Sequence, residues 1–125
     1  MKVKTLMVIA AVLSVVFGLG FLIYPHTLMT TYGFKLDITG DWLTRFIAPG
    51  FVGIGVLNWL GRNLKGDGLR AILYSDVVFS VIGFLVTLIA HLSGLGNVFV
   101  WVTIIIYFLL TFGFVYFAIT QAGKA

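Results

Sequence analysis

Apolar residues fall along this chain in four long blocks, at about 5–24, 42–61, 69–91 and 98–120, and each block is closed off by charges, glycine or proline. A block of ~20 apolar residues is what a helix needs to cross the hydrocarbon of a bilayer. The pattern therefore predicts an all-α integral membrane four-helix bundle, up-down-up-down, folded as a single domain over 1–125.

The connections carry their own signals. A short interfacial helix is expected at 25–33: Pro25 suits a first turn, Leu28, Met29 and Tyr32 share a face, and Gly33 suits a C-cap. Asp41 is expected to N-cap the second span, with Trp42 at headgroup level. The turn at 61–68 is glycine-rich and basic. The connection at 92–97 is so short that the third and fourth spans must form an antiparallel hairpin.

Composition closes off most other classes. With 61% hydrophobic and 10% charged residues and a mean hydropathy of +1.14, the chain lacks the polar surface that a soluble domain needs. The absence of cysteine excludes disulfides, thiolate nucleophiles and thiolate metal sites. Net charge is +4, yet the basic residues are scattered over the connections and form no patch of the size nucleic acid requires. Membrane lipids are the expected partners, with Arg62, Lys65 and Arg70 at their headgroups.

Lys2 and Lys4 followed by an apolar run imitate a secretory leader, but the run continues to Tyr24 with no small-x-small cleavage signal, so it reads as a retained first helix. A cytoplasmic amino terminus places Lys2, Lys4, Arg62, Lys65, Arg70 and Lys124 inside and only Lys35 and Arg45 outside. Positive charge stays on the cytoplasmic side, so both termini are expected there, in the cell's inner membrane.

Polar residues within the blocks are few and patterned. Asp76, Ser80, Gly83, Thr87 and His91 recur at helical spacing along one face of the third span, and Thr103, Tyr107 and Thr111, extended by Phe114 and Ala118, do so along the fourth. An antiparallel hairpin puts Thr87 near Thr103, Ser80 near Tyr107, and Asp76 between Thr111 and Tyr116, so hydroxyls are expected to bond across the interface. In the first span Ala10, Ser14 and Gly18 form a small-residue face. The second carries Ala48, Gly50, Gly53 and Gly55 around Pro49, where a kink is expected.

Asp76 lies about 10 Å along its helix from Leu69. A carboxylate at the centre of a span costs about 2.5–3.5 kcal/mol on insertion scales, so it calls for a partner or a role. Asn58 at similar depth is the best candidate partner, with Thr111, Tyr116 and Arg62 as others. Two readings compete for Asp76, Asn58, Ser80, Thr87, Tyr107 and Thr111: a ligand site for a quinone, lipid or proton-coupled solute, or a seam of helix packing. Arg45, one turn from the outer surface, reads as an interface anchor.

His26 and His91 end the first and third spans at matching depth, as a bis-histidine b-type haem requires; interfacial histidines serving no cofactor are the competing reading. No catalytic constellation, metal site or cofactor signature is otherwise present. The small multidrug exporters need an acidic residue in their first span, and this first span has none.

The stretch 42–63, WLTRFIAPGFVGIGVLNWLGRN, resembles the second span of DoxX-like small four-helix membrane proteins, through Arg45, Gly53, Gly55 and Arg62. Pro49 and the two histidines lie outside that pattern. The resemblance implies a small subunit associated with membrane redox complexes. The expected function is accordingly a non-catalytic accessory or scaffolding subunit that meets other integral membrane subunits, or copies of itself, through aromatic faces rich in residues such as Phe108, Phe112, Phe114, Tyr116 and Phe117. The alternatives are a lipophile or solute site with an open cleft at Asp76 and Asn58, and a haem-bearing redox subunit.

Overall fold

The computed structural model describes residues 2–122, and over these it is all-helical. The helices are α1 (Val3–Ile23), α2 (Pro25–Thr31), α3 (Ile38–Gly61), α4 (Gly66–Leu92) and α5 (Val100–Ala122). Four of them, α1, α3, α4 and α5, are long and apolar enough to cross a membrane.

The short helix expected after the first span is α2, opened by Pro25 and closed by Gly33, whose φ of +84° is left-handed. Gly33 N donates to Thr30 O and Phe34 N to Met29 O, which satisfies carbonyls that the helix end would otherwise leave bare. Gly94, with φ +90°, ends α4 in the same way.

The start of α3 corrects one expectation. The helix begins at Ile38, and Asp37 rather than Asp41 is its N-cap, Oδ1 accepting from Gly40 N at 2.7 Å. Asp41 instead sits in the first turn, where a carboxylate complements the helix dipole, and pairs with His26 Nδ1 at 3.1 Å. Downstream, α3 runs through Pro49 as one helix.

The long helices associate as two pairs. In the first, α1 runs antiparallel to α3: Gly18 lies against Phe51 and Val52, and Gly55 against Ala11, Ser14 and Val15. A methyl group on Gly55 would stand 2.6 Å from Val15 Cγ2 and 3.0 Å from Ala11 O, so only hydrogen fits. Gly50 and Gly53 face open space, so the pairing rests on part of the glycine pattern only. In the second pair α5 runs antiparallel to α4, with Gly83 under the Tyr107 ring, Phe84 on Phe108 and His91 on Trp101.

Contact between the pairs is slighter and uneven along their length. Near the starts of α1 and α4, a core of Leu6, Met7, Ala10, Leu69, Ile72, Leu73, Phe114, Phe117 and Ala118 fills the interface; Met7 and Leu73 are 0% exposed. Phe114 and Phe117 therefore belong to the interior, not to the outward aromatic faces on which sequence had placed them. Lipid tails are as apolar as these side chains, so close packing rather than exclusion from water holds this region.

Candidate functional site: a chamber between the helix pairs

The open cleft that the ligand-site alternative requires at Asp76 and Asn58 is closed. Asp76 is 3% and Asn58 1% exposed, and Asn58 Nδ2 donates to Asp76 Oδ1 at 2.9 Å and to Ile54 O at 3.0 Å. Asn58 is thus the partner of Asp76, as its depth suggested. The other candidates are not: Tyr116 is 60% exposed, the Thr111 hydroxyl makes no bond, and Arg62 stacks over the Trp59 ring and donates to Trp59 O.

Nor do the seam hydroxyls bridge α4 and α5. Ser80 Oγ donates to Asp76 O at 2.7 Å and Thr87 Oγ1 to Gly83 O at 2.7 Å, each within α4. A Ser or Thr in a helix can reach the carbonyl four residues back, and on α4 that local acceptor takes both hydroxyls. Thr103 Oγ1 leaves the pair altogether and donates to the Tyr32 hydroxyl at 3.0 Å.

The open space lies towards the opposite end. Between the pairs is a chamber of about 370 Å³ to which all five helices contribute. Its body is apolar, built from side chains such as Leu13, Phe17, Val86, Ile106 and Leu110. A row of rings crosses all four long helices along it: Phe21 to Phe51 at 5.2 Å, Phe51 to Phe79 at 5.3 Å and Phe79 to Tyr107 at 6.2 Å between centroids. Phe79 stands three residues from Asp76, so the chamber ends about one helical turn from the sealed pair.

At its other end the chamber is roofed by Met29, Tyr32 and Phe34, from α2 and the residues after it. Asn97 in the α4–α5 turn clasps this roof. Its backbone N donates to Tyr32 O at 2.7 Å, its Nδ2 to Thr31 O at 3.0 Å, and its Oδ1 accepts from Phe99 N at 3.0 Å. The clasp is a further tie between the first pair and the second, beside the contact of Phe51 with Phe79.

Five hydroxyls line the space: Ser14, Tyr32, Thr87, Thr103 and Tyr107. Thr87 is engaged with its own helix, and Thr103 with Tyr32. Ser14 and Tyr107 make no hydrogen bond among the described residues, so theirs are the hydroxyls open to a ligand. No charged side chain lines the chamber.

Of the residues singled out from sequence, Thr87 and Tyr107 line the chamber, whereas Asp76, Asn58 and Ser80 are sealed beside it and Thr111 faces a groove outside the α4–α5 pair. His26 is held by Asp41, while the His91 ring lies edge-on to Trp101 at 5.3 Å with Nδ1 3.2 Å from Leu95 O; neither lines the chamber. Among the described residues no group of three or more His, Cys, Asp or Glu is arranged to hold a metal ion. Arg45 Nε donates to Leu22 O at 3.2 Å while its guanidinium lies 4.6 Å from the Trp42 ring, so this side chain caps the last turn of α1. Arg62 and Arg70 flank the short α3–α4 turn, where Lys65 is exposed and Arg70 lies 3.8 Å from Asp67.

Sequence reasoning missed the ring row and Asn97. An Asn among glycines reads as turn chemistry, and nothing local reveals that it reaches back to Thr31. Comparison with protein-family models, with curated proteins and with solved structures gives no match to this chain.

Proposed function

We propose that this chain is a four-span membrane protein that binds a small neutral lipophile in the chamber between its helix pairs, without chemistry of its own. The observation that carries this reading is the chamber itself: walled by aromatic rings, roofed by α2 and fitted with two unengaged hydroxyls. Its volume of about 370 Å³ falls in the range of small-molecule sites. Left empty, it would forfeit dispersion contacts along its apolar lining, and in lipid no hydrophobic force repays that loss. A lining without charge favours an uncharged occupant, and the Ser14 and Tyr107 hydroxyls suit an oxygen-bearing head.

In this reading the basic end of the bundle, with Lys2, Lys4, Arg62, Lys65 and Arg70, faces the cytoplasm across the inner membrane. Both termini then lie inside, Lys124 falling outside the described residues. The chamber occupies the outer leaflet, with α2 at the outer interface.

An accessory role has its own support. The outward groove between α4 and α5 is lined by Phe84, Phe108, Phe112 and Tyr116, an aromatic face that suits a helix of a partner subunit. A DoxX-like membership would sit with this second reading and rests mainly on the stretch 42–63.

Photolabelling in native membranes with a diazirine-bearing fatty acyl chain separates the two. Lipophile binding expects carbene adducts on Phe17 and Tyr107, inside the chamber. Adducts confined to lipid-facing positions such as Val12 and Val16 would overturn it.

A further inference from the structure

The sealed Asp76–Asn58 pair takes no part in the chamber, and its heavy atoms leave a problem of their own. Asn58 has two amide hydrogens and uses both, on Asp76 Oδ1 at 2.9 Å and on Ile54 O at 3.0 Å. Asp76 Oδ2 and Asn58 Oδ1 are buried with no hydrogen-bond donor. They are the second arms of the two planar groups that already meet through Nδ2 and Oδ1. Among the described residues no cation forms an ion pair with Asp76.

Two unpaired acceptors and a formal negative charge, at 3% and 1% exposure inside a membrane span, form a costly arrangement. One proton removes the whole cost. We propose that Asp76 and Asn58 are a proton-binding site: Asp76 Oδ2 carries a hydrogen and donates it to Asn58 Oδ1, closing a cyclic, uncharged acid–amide pair. Every polar atom of both side chains is then satisfied, and the bound proton comes from the aqueous phase.

Among the described residues no charged side chain of the surrounding elements pairs with Asp76. Between Lys4 and Tyr24, α1 has no ionisable side chain. On α3 Arg62 is held over Trp59. On α5 Tyr107 stands in the chamber wall and Tyr116 is 60% exposed; on α4 Tyr74 is 50% exposed, and Asp67 lies beside Arg70. The pair joins α3 of one helix pair to α4 of the other, where these helices meet only briefly, so the proton fixes the register between the two halves of the bundle.

The chain is suited to a direct test. It has no Glu and only four Asp, of which Asp37 and Asp67 are exposed and Asp41 is held at the surface by His26. Infrared spectroscopy of the full chain, carrying carboxyl-13C Asp and reconstituted at neutral pH, reads the protonated carboxyl stretch. The proposal expects one such band, shifted in heavy water and absent from Asp76→Asn. Asp76→Asn preserves a donor and an acceptor facing Asn58, so its thermal midpoint stays near the parent's, whereas Asn58→Leu strands the acid and lowers the midpoint. Only ionised carboxylate bands, a carboxyl band that survives Asp76→Asn, or a band abolished by sodium ions would each overturn the proposal, the last reassigning the two oxygens to a cation.

Discussion

The two ends of this bundle are made from the same four helices and are packed in opposite ways. At the end holding the starts of α1 and α4, Leu, Met and Phe side chains meet across the pairs with no space between them, and the polar atoms of Asp76 and Asn58 are shut in. At the other end α2 and Asn97 hold a roof over a chamber of about 370 Å³. Apolar content does not separate them. What separates them is how completely the side chains of one pair reach those of the other: Met7 and Leu73 lie in a filled interface, whereas at the chamber Phe51 meets Phe79 but Ser14, Gly83 and Ala90 are too short to close the space. In lipid, where shape rather than exclusion from water holds helices together, that difference in reach decides which end is solid and which is hollow.

The comparison breaks most sharply under truncation. Leu73→Ala should cost about 2–5 kcal/mol because it opens a cavity in a filled core, while Leu13→Ala, at the chamber wall, should cost well under half as much, since the space beside it exists already. Thermal unfolding in detergent followed by circular dichroism reads both. Equal losses would mean that the chamber is as tightly filled by protein as the core.

Next in size is the glycine contact within the first pair. Gly55→Val forces side-chain atoms into Val15 and the Ala11 carbonyl and should cost about 1–3 kcal/mol, whereas Gly53→Ala meets open space and should be silent or slightly stabilising. The same unfolding assay ranks them.

The clasp comes third. Asn97→Ala removes the side-chain bonds to Thr31 O and from Phe99 N, at about 0.5–1.5 kcal/mol each, so amide exchange across α2 should accelerate by roughly tenfold while exchange around Leu73 stays unchanged. Smallest is the cap: Asp37→Ala should cost about 0.5–2 kcal/mol and fray the first turn of α3, and Asp41→Ala should leave that turn in place.

Much of the helix pairing and capping was legible in the sequence. The depths of Asp76 and Asn58 identified them as partners, and Ser14 and Gly18 marked the face of α1 that meets α3. The position of Gly33 announced its left-handed cap. The start of α3 was misread because Ile38 and Thr39 look like loop beside the apolar run that begins at Trp42, which made the second of two aspartates the expected cap. Cross-helix hydroxyl bonds were expected from spacing alone, and the local carbonyls of α4 took those donors. The hollow end was illegible for a plainer reason. Its lining of Leu, Phe and Val is chemically indistinguishable from a core, and only the distance between the pairs, propped by a contact from Asn97 to Thr31, makes it a chamber.

Native mass spectrometry of the intact protein, released from its own membranes in mild detergent, tests the central claim most directly. A bound lipophile in the chamber should appear as one discrete small-molecule adduct per chain, lost when Ala90→Phe fills the space. A chain that carries no adduct, or an adduct retained unchanged by Ala90→Phe, would contradict it.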